Sequence, residues 1–383
     1  MKSNPVFQLS FAAFFAALHF YLVAYITSSV IAERLGDQFV APLFAGGSVL
    51  ALIVFFSAPR LLRRIGARGF LTLMALIEGA AILGLAGFSG EIATILSVLA
   101  HLGFSSLVGF ALDLFLEQAT DAESVTGNTR GIFFTATNTA LVLSPPLMGL
   151  IRTSFSFEMV YLASIAFFVV FLIAMIPLYR SFKDSSYNNV SLAGMRFAFM
   201  CADIAPTALA HLSLRLFYAL AAIYIPLHLS SLGFSWPQIG LMLGIALLPF
   251  ALTTLPAGKL ADSRFGEKEI MITGFVIMAG ATALLSLSLP HSFVLYAGIL
   301  FVTRMGASLV DITTETHFFR AVSSRDINSI TLFRMLQPVG YIIGVTLAAG
   351  ILLVLPLQSA FLAFAFLILL IGIPAALRIT DFR

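Results

Sequence analysis

The sequence is a succession of long apolar runs, each close to the length that a helix needs to cross a lipid bilayer, about 20 residues. Backbone polar groups in lipid must be satisfied within the protein, so runs of this kind predict membrane-spanning α-helices. Six runs precede the longest polar stretch: Gln8–Ile31, Phe39–Ala58, Phe70–Phe88, Ile92–Leu116, Gly131–Ile151 and Met159–Tyr179. Six follow it: Ile204–Leu229, Gln238–Ala257, Glu269–Leu289, Phe293–Thr314, Asn328–Leu355 and Leu357–Leu377.

Composition supports lipid as the solvent of this chain. Hydrophobic residues make up 60% of it and charged residues 10%, whereas a soluble domain carries about 25% charged residues. These values exclude a cytosolic enzyme, a nucleic-acid-binding protein and a disordered protein, and a net charge of +3 is too small to suggest a nucleic-acid partner. The single cysteine, Cys201, cannot form an internal disulfide.

The polar stretch divides the chain into two halves. We expect an N-terminal six-helix bundle at 1–180, a cytoplasmic linker with a candidate interfacial helix at 181–203, and a C-terminal six-helix bundle at 204–383. Most of the 21 Lys and Arg residues fall in loops on one side of the predicted membrane. The positive-inside rule then places both termini in the cytoplasm, and we expect a monomer in the inner (plasma) membrane of a cell.

The two halves resemble each other at an offset of about 200 residues, which indicates an internal duplication. The correspondences keep their order along the chain, although each one is short. They pair Phe20-Tyr21 with Phe217-Tyr218, Leu35-Gly36 with Leu232-Gly233, Gly66 with Gly266, Gly103 with Gly306, and Asp113 with Glu315. A doubled six-helix unit is typical of transporters built from two parallel repeats.

The loop between the eighth and ninth runs carries the most specific motif. It reads Gly258-Lys259-Leu260-Ala261-Asp262-Ser263-Arg264-Phe265-Gly266-Glu267-Lys268, which resembles the Gly-x-Leu-Ala-Asp-Arg-x-Gly-Arg-Lys loop of the major facilitator superfamily. The first half has a degraded copy, in which Arg63 stands where the acid belongs. The resemblance implies an all-α polytopic fold of 12 transmembrane helices in two pseudo-symmetric six-helix bundles.

In that family this loop latches the cytoplasmic side when it closes. The resemblance therefore implies a cytoplasmic gate made by Gly258, Asp262, Arg264, Gly266 and Lys268, with Asp262 facing the start of the fifth span near Arg130.

The fifth run contains Ala140-x-x-x-Ser144-Pro145-x-x-Met148-Gly149, which loosely resembles the antiporter signature of the same family. Small residues allow two helices to approach closely, and a proline removes one hydrogen bond of the helix. Pro145 therefore predicts a helix kink, and the segment does not distinguish a plain kink from an export signature.

Ionisable residues within the apolar runs are the candidates for a binding site, because a charge inside a bilayer is costly and normally faces a cavity or a partner. Of the candidates that the sequence singles out, all but Glu78 lie in the first, fourth, seventh and tenth runs, which line the central cavity in the family that the chain resembles. For Glu78, in the third run, the sequence suggests no role. The remaining candidates are His19, His101, Asp113, His211, Arg215, Arg304 and Asp311, with Tyr218 on the face of His211 and Arg215.

Helical spacing places Arg304, Ser308, Asp311 and Glu315 in one stripe. We hypothesise that Arg215 and Arg304 give the cavity a positive charge that Asp311 partly balances, which suits an anionic or polyhydroxylated solute. Asp113, Asp311 or a histidine is then the candidate for the coupling proton. The bland alternatives are that His19 and His101 only form hydrogen bonds between helices, and that Asp113 and Glu315 are helix-end charges.

The sequence therefore predicts a secondary transporter that moves a small solute by alternating access, coupled to protons and needing no cofactor or metal. No Walker motif, His-Glu-x-x-His or Gly-x-Ser-x-Gly motif occurs, which disfavours direct use of ATP and an intramembrane enzyme. Drug or metabolite efflux, a sensor and a lipid scramblase remain as alternatives on the same fold.

Overall fold

A computed structural model of the chain describes residues 5–119, 126–182, 204–252, 266–287, 289–321 and 327–379. In these ranges the chain is helical, with no strands. The first half contains α1 (Pro5–Ala24), α2 (Thr27–Leu35), α3 (Val40–Gly87), α4 (Glu91–Ala119), α5 (Thr126–Ser154) and α6 (Phe157–Ser181). The second half contains α7 (Ala205–Ser231), α8 (Trp236–Leu252), α9 (Glu267–Leu284), α10 (Phe293–Ala321), α11 (Ile327–Leu352) and α12 (Leu357–Leu377).

Two of the predicted boundaries differ from the observed helices. The first predicted span is broken by a turn at Tyr25 and Ile26 into α1 and α2. The second and third spans are joined in the 48-residue α3, whose single non-helical residue is Gly66, with φ 69° and ψ 171°. A positive φ is strained for residues with a side chain but not for glycine, so Gly66 supplies the bend between these two spans.

Nine helical stretches among the described residues are long and apolar enough to cross a membrane. One of them, Asp37–Gly87, holds two predicted spans separated by Gly66. The shorter α8 is apolar over its 17 described residues, and the 18-residue α9 begins with three charged residues. These helices are consistent with twelve spans, and they confirm the predicted all-α polytopic architecture.

The described residues form two compact units. One comprises Met1–Asn189 with Ser235–Gly244, and the other comprises Val190–Phe234 with Ile245–Arg383. The predicted gate residues Gly258, Asp262 and Arg264, the side chain of Arg130, and the predicted interfacial helix at 191–201 lie outside the described residues.

Helix packing inside the first unit is repeated six spans later inside the second unit. In the first unit, α1 packs against α4, α5 and α6, and α3 packs against α4 and α6. In the second unit, α7 packs against α10, α11 and α12, and α9 packs against α10 and α12. The same order of partners is what the internal duplication predicts.

Glycines allow the closest of these approaches. A Cβ atom added to Gly103 of α4 would lie 2.7 Å from the Leu50 side chain of α3. A Cβ atom added to Gly306 of α10 would lie 2.5 Å from the carbonyl oxygen of Gly274 on α9. The sequence repeat pairs the two glycines, and both allow a close helix contact, Gly103 with the second predicted span and Gly306 with the ninth.

Apolar side chains cover the outside of both units as well as filling them. Ile92, Val294 and Leu76 are 76%, 77% and 66% exposed, which suits a surface in contact with lipid. Inside the second unit, Ile204, Ala208, Phe318, Phe333 and Leu336 pack into one cluster. This cluster supports the ends of α7, α10 and α11 beside the polar site described next.

Candidate functional site

Five polar side chains of α7, α10 and α11 meet inside the second unit. They are His211, Arg215, Asp311, Glu315 and Arg334, and we call this group the α7–α10 network. Helical spacing explains their arrangement, because His211 and Arg215, like Asp311 and Glu315, are four residues apart and share a helix face. Arg215 Nη2 lies 3.5 Å from Asp311 Oδ1 and 3.8 Å from Glu315 Oε1. Arg334 Nη1 lies 3.3 Å from Glu315 Oε1.

His211 fixes the position of Arg215. Arg215 Nε donates a hydrogen bond to His211 Nε2 over 2.8 Å, so this ring nitrogen is the acceptor. The other nitrogen, Nδ1, is then the donor to the Thr314 hydroxyl, at 2.9 Å. The His211 ring also stacks on Phe333 at 4.0 Å, so that the neutral imidazole is held from three sides.

The charges of the α7–α10 network balance, since two guanidinium groups face two carboxylates. The ligand atoms of His211, Asp311 and Glu315 lie within 4.8 Å of one another, which is close enough for a metal ion. Arg215, however, donates to His211 and lies against both carboxylates. Its guanidinium already supplies the positive charge at that point, so the arrangement favours an ion-pair network over a metal centre.

Arg304 stands apart from this balanced network. It is 3% exposed, and its guanidinium lies 5.0 Å above the centre of the Phe217 ring. Within the part of the chain that the structure describes, it has no ion pair or hydrogen bond. The hydroxyl of Tyr218, next to Phe217, is also buried and lacks a hydrogen-bond partner among the described residues.

A buried guanidinium without an anion is energetically costly unless a ligand compensates it. Arg304 and Tyr218 are therefore candidate groups for binding a solute. The sequence hypothesis assigned Arg215 and Arg304 the same role. The structure distinguishes them, because Arg215 has its own carboxylates.

A second buried cluster, the His–Glu–His triad, lies inside the first unit. Glu78 Oε1 of α3 lies 3.1 Å from His19 Nε2 of α1 and 2.7 Å from His101 Nδ1 of α4. All three residues are at most 3% exposed. Glu78, for which the sequence suggested no role, is thus the centre of the site that joins the two predicted histidines.

The other predicted residues lie apart from these clusters. Asp113 is half-buried in α4, and Pro145 lies within α5, which remains helical through it. Gly266 precedes α9, and Lys268 Nζ donates to the carbonyl oxygen of Leu377 at the end of α12, at 2.9 Å. The roles of these residues in a kink or a gate stay predictions.

Sequence reasoning missed Arg334 and Ser164. Arg334 lies inside the eleventh predicted run, and the structure brings it beside Glu315 in α11. Ser164 of α6 contacts His19, and serines are too common in such helices to be singled out. Glu315 was visible in the sequence, because it belongs to the predicted stripe of α10.

Comparison with known proteins relates the second half of the chain to a family and the whole chain to a known fold. Residues 207–381 match the family model described as Major Facilitator Superfamily. No curated protein matches the sequence. A mutant of the nucleoside transporter NupG is 14% identical, with a TM-score of 0.79 over 98% of this chain and 100% of that one.

A POT family transporter solved in complex with 5-aminolevulinic acid is 10% identical, with a TM-score of 0.80 over 97% of this chain and 94% of that one. At these identities the two structures show a shared fold, and that fold extends over nearly the whole chain. Together with the family match in its second half, the fold confirms the resemblance seen in the loop motif. The second half of the chain, at residues 207–381, matches the major facilitator superfamily, and the chain as a whole shares its fold with two solved transporters.

Proposed function

We propose that this protein is a secondary active transporter that moves a small anionic or polyhydroxylated solute across the membrane and is coupled to protons. The family match over residues 207–381 and the shared fold support transport by alternating access, in which two six-helix halves rock around a central binding site. The positive-inside rule supports an inner (plasma) membrane location with both termini in the cytoplasm.

The observation that carries the choice of solute is Arg304. It is buried, it contacts the face of Phe217, and it has no acidic partner among the described residues. A carboxylate or phosphate of a solute would supply the missing negative charge through charge-assisted hydrogen bonds. The nearby Tyr218 hydroxyl is suited to bind a hydroxyl or carbonyl group of the same solute.

The surroundings of Arg215 support this assignment, because its charge is already balanced whereas that of Arg304 is not. Asp311 and Glu315 hold Arg215, so a solute anion at that point would compete with two carboxylates. We therefore assign Arg215 to the structure of the binding site and Arg304 to the solute. The names of the structural neighbours, which refer to a nucleoside and to 5-aminolevulinic acid, are consistent with a small polar solute.

A thermal-shift screen of the purified protein tests the proposal. The panel pairs small carboxylic acids, among them 5-aminolevulinic acid, with their uncharged amides, and it includes nucleosides and sugars. We expect acids to raise the unfolding midpoint of the wild type more than their amides do, and to lose this effect in Arg304→Gln. Equal stabilisation of Arg304→Gln and the wild type by the same acid would contradict the role of Arg304.

A further inference from the structure

The His–Glu–His triad ties together four helices of the first unit through buried polar groups. His19 comes from α1, Glu78 from α3, His101 from α4, and Ser164 from α6. Ser164 and Glu78 are 0% exposed. Such a group of ionisable side chains inside a membrane protein is costly to insert, which makes it a candidate for a functional site.

The contacts of His19 fix where protons can lie. Its Nδ1 is 2.7 Å from the hydroxyl oxygen of Ser164 and 3.2 Å from the carbonyl oxygen of the same residue. The Ser164 hydroxyl oxygen also lies 2.9 Å from the carbonyl oxygen of His19. A hydroxyl has one proton to donate, and a carbonyl oxygen can only accept.

With Glu78 ionised, two arrangements of protons fit these distances. If His19 is neutral, with its proton on Nε2 facing Glu78, the Ser164 hydroxyl must donate to Nδ1. The contacts of His19 with the Ser164 carbonyl oxygen and of Ser164 with the His19 carbonyl oxygen then lack a proton. If His19 is an imidazolium, Nδ1 donates to Ser164, the Ser164 hydroxyl donates to the His19 carbonyl oxygen, and Nε2 donates to Glu78. Three protons then serve the four contacts, because the Nδ1 proton is shared between the hydroxyl and the carbonyl oxygen of Ser164.

The net charge of the triad also favours the arrangement in which His19 is an imidazolium. With two neutral histidines and an ionised Glu78, the triad holds one uncompensated negative charge in a fully buried place, and that is unfavourable. One added proton makes it neutral. The proton is better accommodated on His19 than on Glu78, because an imidazole is a stronger base than a carboxylate and Glu78 Oε1 lies within hydrogen-bond distance of both histidine rings.

We propose that the His–Glu–His triad is a proton-binding site that alternates between a neutral state, with the proton on His19, and a singly negative state without it. Its use as the coupling site of transport rests on the function proposed above. When the proton leaves His19 Nδ1, the Ser164 hydroxyl turns from the His19 carbonyl oxygen to that nitrogen. The hydrogen bonds between α1 and α6 therefore change with each proton bound.

The surroundings contain few other charges. Among the described residues, the ionisable groups that act on Glu78 are His19 and His101. From α6, the Phe168 ring lies 4.3 Å from the His19 ring, and Phe20 of α1 faces His101 at 6.4 Å. On the side of α5, Ala140 packs against Ala17 and Leu18 of α1. The described groups that face the triad from neighbouring helices are thus apolar or aromatic. The residues that bind and release a proton at this place are therefore those of the triad.

Nuclear magnetic resonance of ¹⁵N-histidine-labelled protein in lipid nanodiscs tests the proposal without any solute. The chain has 6 histidines, and His19→Gln identifies the His19 signals by their loss. We expect His19 to lose one of its two protonated nitrogens as the pH is raised. A neutral His19 ring from about pH 5 to about pH 9 would overturn the proposal.

Glu78→Gln provides a second readout. The neutral amide cannot balance an imidazolium, so the doubly protonated His19 signal should be lost at neutral pH, whereas Glu91→Gln, at the exposed start of α4, should keep it. Persistence of that signal in Glu78→Gln would also overturn the proposal. If Glu78→Gln does not fold, Ser164→Ala replaces it, because loss of the hydroxyl should change the titration of His19, and an unchanged titration counts against the proposal.

Failure of the transport function is distinguishable from failure of this site. A protein whose His19 titrates as described but which carries no solute would refute the proposed function and leave the proton site standing. A protein that transports a solute while His19 stays neutral would refute the proton site alone.

Discussion

Arg215 Nε donates a 2.8 Å hydrogen bond to His211 Nε2, one helical turn earlier on α7. The bond orients the guanidinium so that its Nη2 atom lies beside Asp311 of α10. His211 is thus a positioning residue for the ion pair between these two helices. It was a candidate for the coupling proton in the sequence, but a proton on Nε2 would oppose the N–H of Arg215.

Removing His211 Nε2, which accepts the hydrogen bond from Arg215 Nε, should destabilise the second unit. His211→Phe keeps an aromatic ring against Phe333 but leaves a charged donor unpaired, which costs about 1.5–3 kcal/mol. His211→Gln keeps an acceptor and loses the ring. We expect a lower thermal unfolding midpoint for His211→Phe than for His211→Gln in the same detergent. A midpoint of His211→Phe equal to that of the wild type would refute the positioning role.

The binding of an anion should depend on Arg304. Loss of a charge-assisted hydrogen bond costs about 1.5–3 kcal/mol, which corresponds to a roughly 10- to 100-fold weaker Kd. We expect that loss in Arg304→Gln for an acid from the thermal-shift panel, measured by calorimetry. The matched control is Arg60→Gln, on an exposed position of α3, for which the Kd should not change. Equal losses in both variants would mean that the effect is one of overall charge.

Gly306 and Gly298 on α10 provide a matched pair for helix packing. A Cβ at Gly306 would lie 2.5 Å from the Gly274 carbonyl oxygen and from the Met278 nitrogen, whereas a Cβ at Gly298 meets nothing within 4 Å. Because alanine is the better helix former by about 1 kcal/mol, Gly298→Ala should be neutral or stabilising. Gly306→Ala should lower the unfolding midpoint, and a rise comparable to that of Gly298→Ala would show that α9 and α10 do not need the close approach.

Glu78→Gln should separate coupling from solute movement. If the triad binds the coupling proton, the variant in proteoliposomes should still exchange internal for external solute but should no longer accumulate it under a pH gradient. Glu91→Gln should behave as the wild type in both assays. Full accumulation by folded Glu78→Gln would place the coupling proton elsewhere, with Asp311 or Asp113 as the next candidates.

Much of the fold could be predicted from the sequence, because length and apolarity alone decide where a helix crosses a bilayer. The joined α3 could not, since the bend at Gly66 is a matter of one backbone dihedral angle. The repeat paired Gly103 with Gly306, and both lie at close helix contacts. The short matches were informative because they kept their order at offsets of 197 to 203 residues.

The sequence predicted which residues belong to the candidate site, but it did not predict which of them pair with each other. Helical periodicity placed Arg304, Asp311 and Glu315 on one face, but it could not show that Arg215 of α7 would take both carboxylates and leave Arg304 without one. Glu78 seemed out of place because its partners come from α1 and α4, far away in the sequence. Contacts between helices decide these pairings, and a single sequence does not contain them.

Uptake of a radiolabelled acid from the thermal-shift panel into proteoliposomes tests the central claim most directly. With an imposed pH gradient, we expect the wild type to accumulate the acid above its external concentration, and we expect neither Arg304→Gln nor protein-free liposomes to do so. Accumulation that is the same with and without the gradient, or the same in Arg304→Gln as in the wild type, would contradict proton-coupled transport of an anion bound by Arg304.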